Sequence, residues 1–114
     1  MSFALPLRAF YGGTFDPVHN GHIAIALAAR DALGTTIWMM PAADPPHRAA
    51  PGAGAEDRAA MLDLAIQGHA GLRVDRRELA RETPSYTIDT LRELRAKHGE
   101  QAPLAFLIGA DSLY

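Results

Sequence analysis

An α/β fold, built as an open parallel sheet with helices on both faces, is predicted by three observations. Short apolar runs alternate with segments of helical periodicity. The order reads β-α-β-α-β-α-β, which calls for right-handed crossovers between parallel strands. The last run, Pro103 to Ile108, is apolar without a break, as suits a central parallel strand buried on both faces.

Each element has its own local signal. Leu7 to Tyr11 is mostly apolar and stops at Gly12-Gly13, a strand with a sharp exit. From Asn20 to Leu33, residues Ile23, Ala26, Leu27 and Leu33 keep helical spacing, with Asn20 as N-cap and Gly34 as the terminator. Thr35 to Met40 is the second strand, centred on Ile37 and Trp38 and closed by Pro41. Ala42 to Ala55, rich in Pro, Ala and Gly, reads as a mobile loop. Glu56 to Gln67 is a helix that turns Met61, Leu62, Ala65 and Ile66 inward before Gly68 stops it. Leu72 to Asp75 is a short strand, and Arg76 to Pro84 a polar loop. A third helix starts at Ser85, carries Ile88, Leu91 and Leu94 on one stripe, and ends at Gly99. Glu93 and Lys97 are spaced for an exposed ion pair on it.

Composition narrows the class of protein. At 114 residues the chain fits one domain, 1–114, able to bury roughly 65% of its unfolded surface. Hydrophobic residues make up 48% and charged residues 21%, ordinary for a globular domain. A net charge of -2, with Arg and Lys scattered, gives no reason to expect nucleic acid as partner. Cysteine is absent, which removes disulfides and thiolate metal sites and suits a reducing cytosol. No basic region precedes a long apolar run, and no stretch approaches the roughly 20 residues that span a bilayer. A cytoplasmic location without a membrane partner is the expectation.

In an open parallel sheet, ligands bind beyond the carboxyl ends of the strands. The unusual segments all follow strands: GGTFDPVHNGH (Gly12 to His22), PPHR (Pro45 to Arg48), PSYT (Pro84 to Thr87) and GADS (Gly109 to Ser112). Gly12 and Gly13 let backbone approach a phosphate or ribose closely. The next helix points its N–H groups and positive dipole end at the same place. His19 and His22, three apart, share a face and can donate to phosphate oxygens. Each signal has a plainer explanation: Gly-Gly after a strand is usually a turn, and a His near a helix start is often a cap. The two His can bind a metal, but no third nearby His or Cys completes a set. The segment lacks the spacing of the dinucleotide fingerprint and the Gly-Lys-Ser/Thr ending of a P-loop.

With those residues on the page, GGTFDPVHNGH resembles the nucleotide-binding motif of the nucleotidyltransferase superfamily, whose core is His-x-Gly-His. Together with PPHR, PSYTIDTL (Pro84 to Leu91) and FLIGADSL (Phe106 to Leu113), it resembles bacterial nicotinate-nucleotide adenylyltransferase in order and spacing. The resemblance implies a Rossmann-like sheet in strand order 3-2-1-4-5. It also implies adenylyl transfer from ATP, with Mg²⁺ held largely by ATP, to nicotinate mononucleotide. Gly12, Gly13, Thr14 and Phe15 would line the ATP and mononucleotide sites, His19 and His22 would hold ATP phosphates, and Gly109 and Asp111 would lie on the adenylyl side. His47 and Arg48 would approach the acceptor phosphate, and Tyr86 and Thr87 the nicotinate ring. His69 and His98 match no motif and read as surface residues.

Family members continue with a further strand, more helices, a Ser/Thr-rich motif ending in Arg and an aromatic that packs on nicotinate. The expectation is therefore a chain that lacks its C-terminal strand and helices, turns over poorly and self-associates through an uncovered fourth strand. Two rivals stand beside this reading. One is an adenylyltransferase for another phosphorylated acceptor such as pantetheine phosphate, which PPHR and PSYT disfavour. The other is a nucleotide-binding module without catalysis.

Overall fold

The computed structural model describes residues 7–15, 17–42, 54–80, 87–99 and 103–108, without the side chains of 80 and 87–89. Its elements run β1 (Arg8–Gly13), α1 (Asn20–Leu33), β2 (Ile37–Pro41), α2 (Ala55–Ala65), β3 (Leu72–Val74), a 3-10 turn (Arg77–Ala80), α3 (Thr87–His98) and β4 (Leu104–Ile108). The four strands form one parallel sheet in the order β3-β2-β1-β4. An open parallel α/β sheet with helices on both faces is thus present.

Side-chain alternation along β1 sorts the two faces. Ala9 and Tyr11 join Ile37, Met39 and Leu72 under Ile23 and Ala26 of α1 and Leu62 of α2. Phe10 faces the other way and packs with Met40 and with Leu94 of α3. Burying each of Ile37, Met39 or Leu62 stabilises the fold by about 1.5–3 kcal/mol. Leu33, which keeps the helical spacing of α1, is 40% exposed at its end.

Several boundaries differ from the sequence reading, each for a physical reason. β1 runs through both glycines, because Gly12 and Gly13 are paired with Met40 and Pro41 of β2 and Gly12 also with Ile108 of β4. His19, not Asn20, caps α1: its backbone is extended and its side chain accepts from Gly21 N. The segment after β3 is ordered by Asp75, which accepts from Arg77 N at 2.9 Å and from Arg77 Nε at 2.9 Å. In the turn that follows, Glu78 is buried and accepts from Thr90 Oγ1 at 3.1 Å. Glu93 reaches Arg77 at 3.8 Å rather than pairing with Lys97. Among the described strands β4 is the edge, as the expectation of an uncovered fourth strand has it. Leu104 to Leu107 are half-buried and Ile108 is 45% exposed.

Gly12 owes its identity to β4. A Cβ there would stand 2.8 Å from Cε1 and Cζ of Phe106, well inside contact distance. Gly12→Ala is expected to cost about 1–3 kcal/mol through overpacking. The added substitution Phe106→Leu should recover part of that loss. Urea unfolding of the single and double variants checks this; equal stability of Gly12→Ala and the unmodified chain would refute it.

Candidate active site

The carboxyl ends of β1 and β2 meet at one rim. Gly13 is level with Pro41, and Ala42 N donates to Gly13 O at 2.9 Å. Immediately beyond, Phe15 adopts φ 52, a left-handed conformation rare for a bulky side chain. Such a backbone costs on the order of 1–3 kcal/mol and persists only where its surroundings enforce it. The surroundings here are aromatic and close. The Phe15 ring is 2% exposed, edge-on to Tyr11 at 5.4 Å and to His22 at 5.0 Å. A side chain on Gly13 would meet that ring at 3.2 Å. The absence of a Cβ at Gly12 and Gly13 therefore first serves the protein's own rings.

His22 stacks on His19, with ring centroids 3.8 Å apart and planes inclined by 28°. The pair forms a reciprocal cap on α1. His19 Nδ1 accepts from Gly21 N at 3.1 Å, and His22 Nδ1 accepts from His19 N at 3.0 Å. A ring nitrogen that accepts carries no proton, so each neutral imidazole keeps its proton on Nε2 as a donor. The cap thus fixes the tautomer and presents two N–H donors at the positive end of a 14-residue helix. Gly21 completes the arrangement: a Cβ there would lie 2.9 Å from His19 Cε1. The glycine between the histidines exists so that one imidazole can lie across the helix.

Arg58 is the residue that sequence reasoning missed. Only 2% exposed, it projects from α2 and donates from Nη1 to Thr14 O at 2.6 Å and from Nη2 to Ala42 O at 2.8 Å. One guanidinium thereby grips the loop after β1 and the end of β2. A signal existed: Arg58 lies three, four and seven residues before Met61, Leu62 and Ala65, on the inward stripe of its helix. A charge on an apolar stripe requires buried partners, and the Thr14 and Ala42 carbonyls are two of them.

Of the other predicted residues, Thr14 is exposed at the rim and Thr87 opens α3. His47, Arg48, Tyr86, Gly109 and Asp111 lie outside the described residues. His69 is exposed, as read. His98 is half-buried instead, 6.3 Å from the Phe10 ring. Its pKa is pushed down, first by desolvation and then by the charges of Arg8, Lys97 and Arg77, with Asp75 opposing. It lines a cavity of about 420 Å³ with Arg8, Phe10, Trp38 and Lys97. The cavity is closed by Asp75 and Arg77 after β3 and is lined by none of the residues of the histidine cap. Among the described residues no group of three or more His, Asp or Glu is placed to hold a metal ion. No helix among them is long and apolar enough to cross a membrane.

The central strand of an open parallel sheet thus leads into a stacked His-x-Gly-His cap at the amino end of α1. The cytidylyltransferase-like family matches residues 10–114, and the chain belongs to that family. Among curated proteins it is 60% identical over 114 residues to a "Probable nicotinate-nucleotide adenylyltransferase" of Stenotrophomonas maltophilia, covering 96% of this chain and 51% of that protein. Proteins of the same name from Xylella fastidiosa and Cronobacter sakazakii are each 52% identical, over 110 and 108 residues. Those alignments cover 93% and 94% of this chain and 50% and 49% of the relatives. The chain spans about half the length of the curated relatives it matches.

Proposed function

We propose that this chain is the ATP-handling half of a nicotinate-nucleotide adenylyltransferase acting in NAD biosynthesis in the cytoplasm. The observation that carries the reading is the His19–His22 cap, which holds two Nε2–H donors at the amino end of α1. The names of the relatives supply the acceptor.

The reaction asks little covalent chemistry of the protein. A phosphate oxygen of nicotinate mononucleotide, already anionic at neutral pH, attacks the α-phosphorus of ATP. The new P–O bond forms as the bond to the bridging α–β oxygen breaks, and pyrophosphate leaves with the electron pair. No general base and no enzyme-bound intermediate are required. What remains is alignment of the two phosphates and stabilisation of charge on the transferring and leaving groups. His22 and His19 are assigned that stabilisation, aided by the dipole of α1. Gly12, Gly13, Thr14 and Phe15 form the adjoining wall. Gly109 and Asp111 are assigned to ATP, and His47, Arg48, Tyr86 and Thr87 to the acceptor. Mg²⁺ enters as part of the substrate, bound by ATP phosphate oxygens.

Acceptor choice has a physical motive in α3, which opens at Thr87. The N–H groups at its start favour a carboxylate over a neutral amide. Full-length protein is expected to prefer nicotinate mononucleotide to its nicotinamide counterpart by about tenfold or more in kcat/KM, within the reach of a helix-terminus interaction. Pyrophosphate release with both acceptors, and with pantetheine phosphate, is the measurement. Equal kcat/KM for the two pyridine nucleotides would remove the assigned role of α3.

A further inference from the structure

We propose that Arg58 is a positioning residue, holding the Thr14–Phe15 peptide in the orientation that sets His22 and His19 for phosphate transfer. The inference rests on the adenylyl-transfer reading for its catalytic part and on geometry alone for its positioning part.

The geometry runs through four contacts. Arg58 Nη1 bonds the Thr14 carbonyl at 2.6 Å, and that carbonyl belongs to the peptide immediately before Phe15. Its orientation constrains the φ of Phe15, which is 52. That turn delivers the Phe15 ring to His22 at 5.0 Å, and His22 in turn stacks on His19 at 3.8 Å. Meanwhile Nη2 bonds Ala42 O at 2.8 Å, so the same planar group fixes where β2 ends relative to the strained loop. A guanidinium spans two carbonyls because its donors form a rigid fork, whereas an ammonium is a point charge on a flexible stem. At 2% exposure Arg58 is remote from solvent, so its role is exerted through the loop and not by contact with substrate.

The test uses full-length protein with Arg58→Lys, which keeps the charge, and Arg58→Ala, which leaves a space that added guanidinium can enter. Turnover is followed by pyrophosphate release from ATP and nicotinate mononucleotide, and the imidazole signals of His22 and His69 by NMR. Arg58→Lys is expected to lower kcat about 10–100-fold, the scale of an ångström-sized misplacement, with the acceptor KM within about threefold. Guanidinium should restore part of kcat to Arg58→Ala, and ammonium should not. His22 signals should shift in Arg58→Lys while those of His69 stay in place. Unshifted His22 signals, or kcat within about threefold of the unmodified protein, would overturn the proposal and leave Arg58 a buried structural residue. If the unmodified protein shows no turnover but His22 still shifts, the adenylyl-transfer reading fails and the positioning stands.

Discussion

Replacing His22 with Ala in the full-length protein is expected to lower kcat by about 10²–10³, the scale for removing one charge-stabilising donor. Acceptor KM should change much less, because the donor acts on charge that develops during transfer. Alanine removes two things at once, though: the Nε2 donor and the Nδ1 acceptor that caps α1 through His19 N. Asparagine separates them. Its side-chain oxygen can occupy roughly the place of Nδ1, but the side chain is too short to replace Nε2. His22→Asn should therefore keep more thermal stability than His22→Ala and yet be as inactive. If His22→Asn retains kcat within about threefold of the unmodified protein, His22 is a cap and nothing more.

The second large effect concerns the 114-residue chain by itself. Among the described strands β4 pairs with β1 alone, and its Leu104–Ile108 run is apolar, with Ile108 45% exposed. An apolar sheet edge is a template for another strand. We expect the isolated chain to sediment above monomer mass at micromolar concentrations. Ile108→Lys, which places a charge on that edge, should shift it toward monomer. Its pyrophosphate release is expected to lie about 10²–10³ below that of full-length protein, the scale of missing charge-stabilising donors. Curated relatives about twice as long motivate that second expectation. A monomer with near-full turnover would refute both parts.

What was legible in the sequence was what depends on local pattern. Apolar runs bounded by Gly and Pro placed all four strands, and helical spacing placed Ile23, Ala26 and Leu62 inside. The His-x-Gly-His spacing pointed at the rim where the two imidazoles in fact stack. What was hidden depends on partners distant in the chain. The buried Arg58 looks like a surface residue until the Thr14 and Ala42 carbonyls, 44 and 16 residues away, come to it. The left-handed Phe15 contradicts the preference of its residue type, since tertiary contacts hold it. Asn20 was the better cap by general preference, yet the Nδ1 of His19 took the role. The edge place of β4 was legible only from the strand order that the resemblance implies, not from its unbroken apolar run, since hydropathy does not encode neighbour number in a sheet.

The pairing of β1 with β4 also sets an order of events during synthesis. Arg8 is in register with Leu104, so the strand that leads into the histidines waits for a partner 96 residues downstream. At ordinary rates of elongation that separation amounts to about 5–20 s on the ribosome. β2 and β3 emerge earlier, so the nascent chain can lay one flank of its sheet against β1 while the other edge stays open. Pairing across so long a stretch is also slow in refolding, because the loop must close before any contact rewards it. The strand that leads into the His19–His22 cap is thus among the first made and the last to be enclosed.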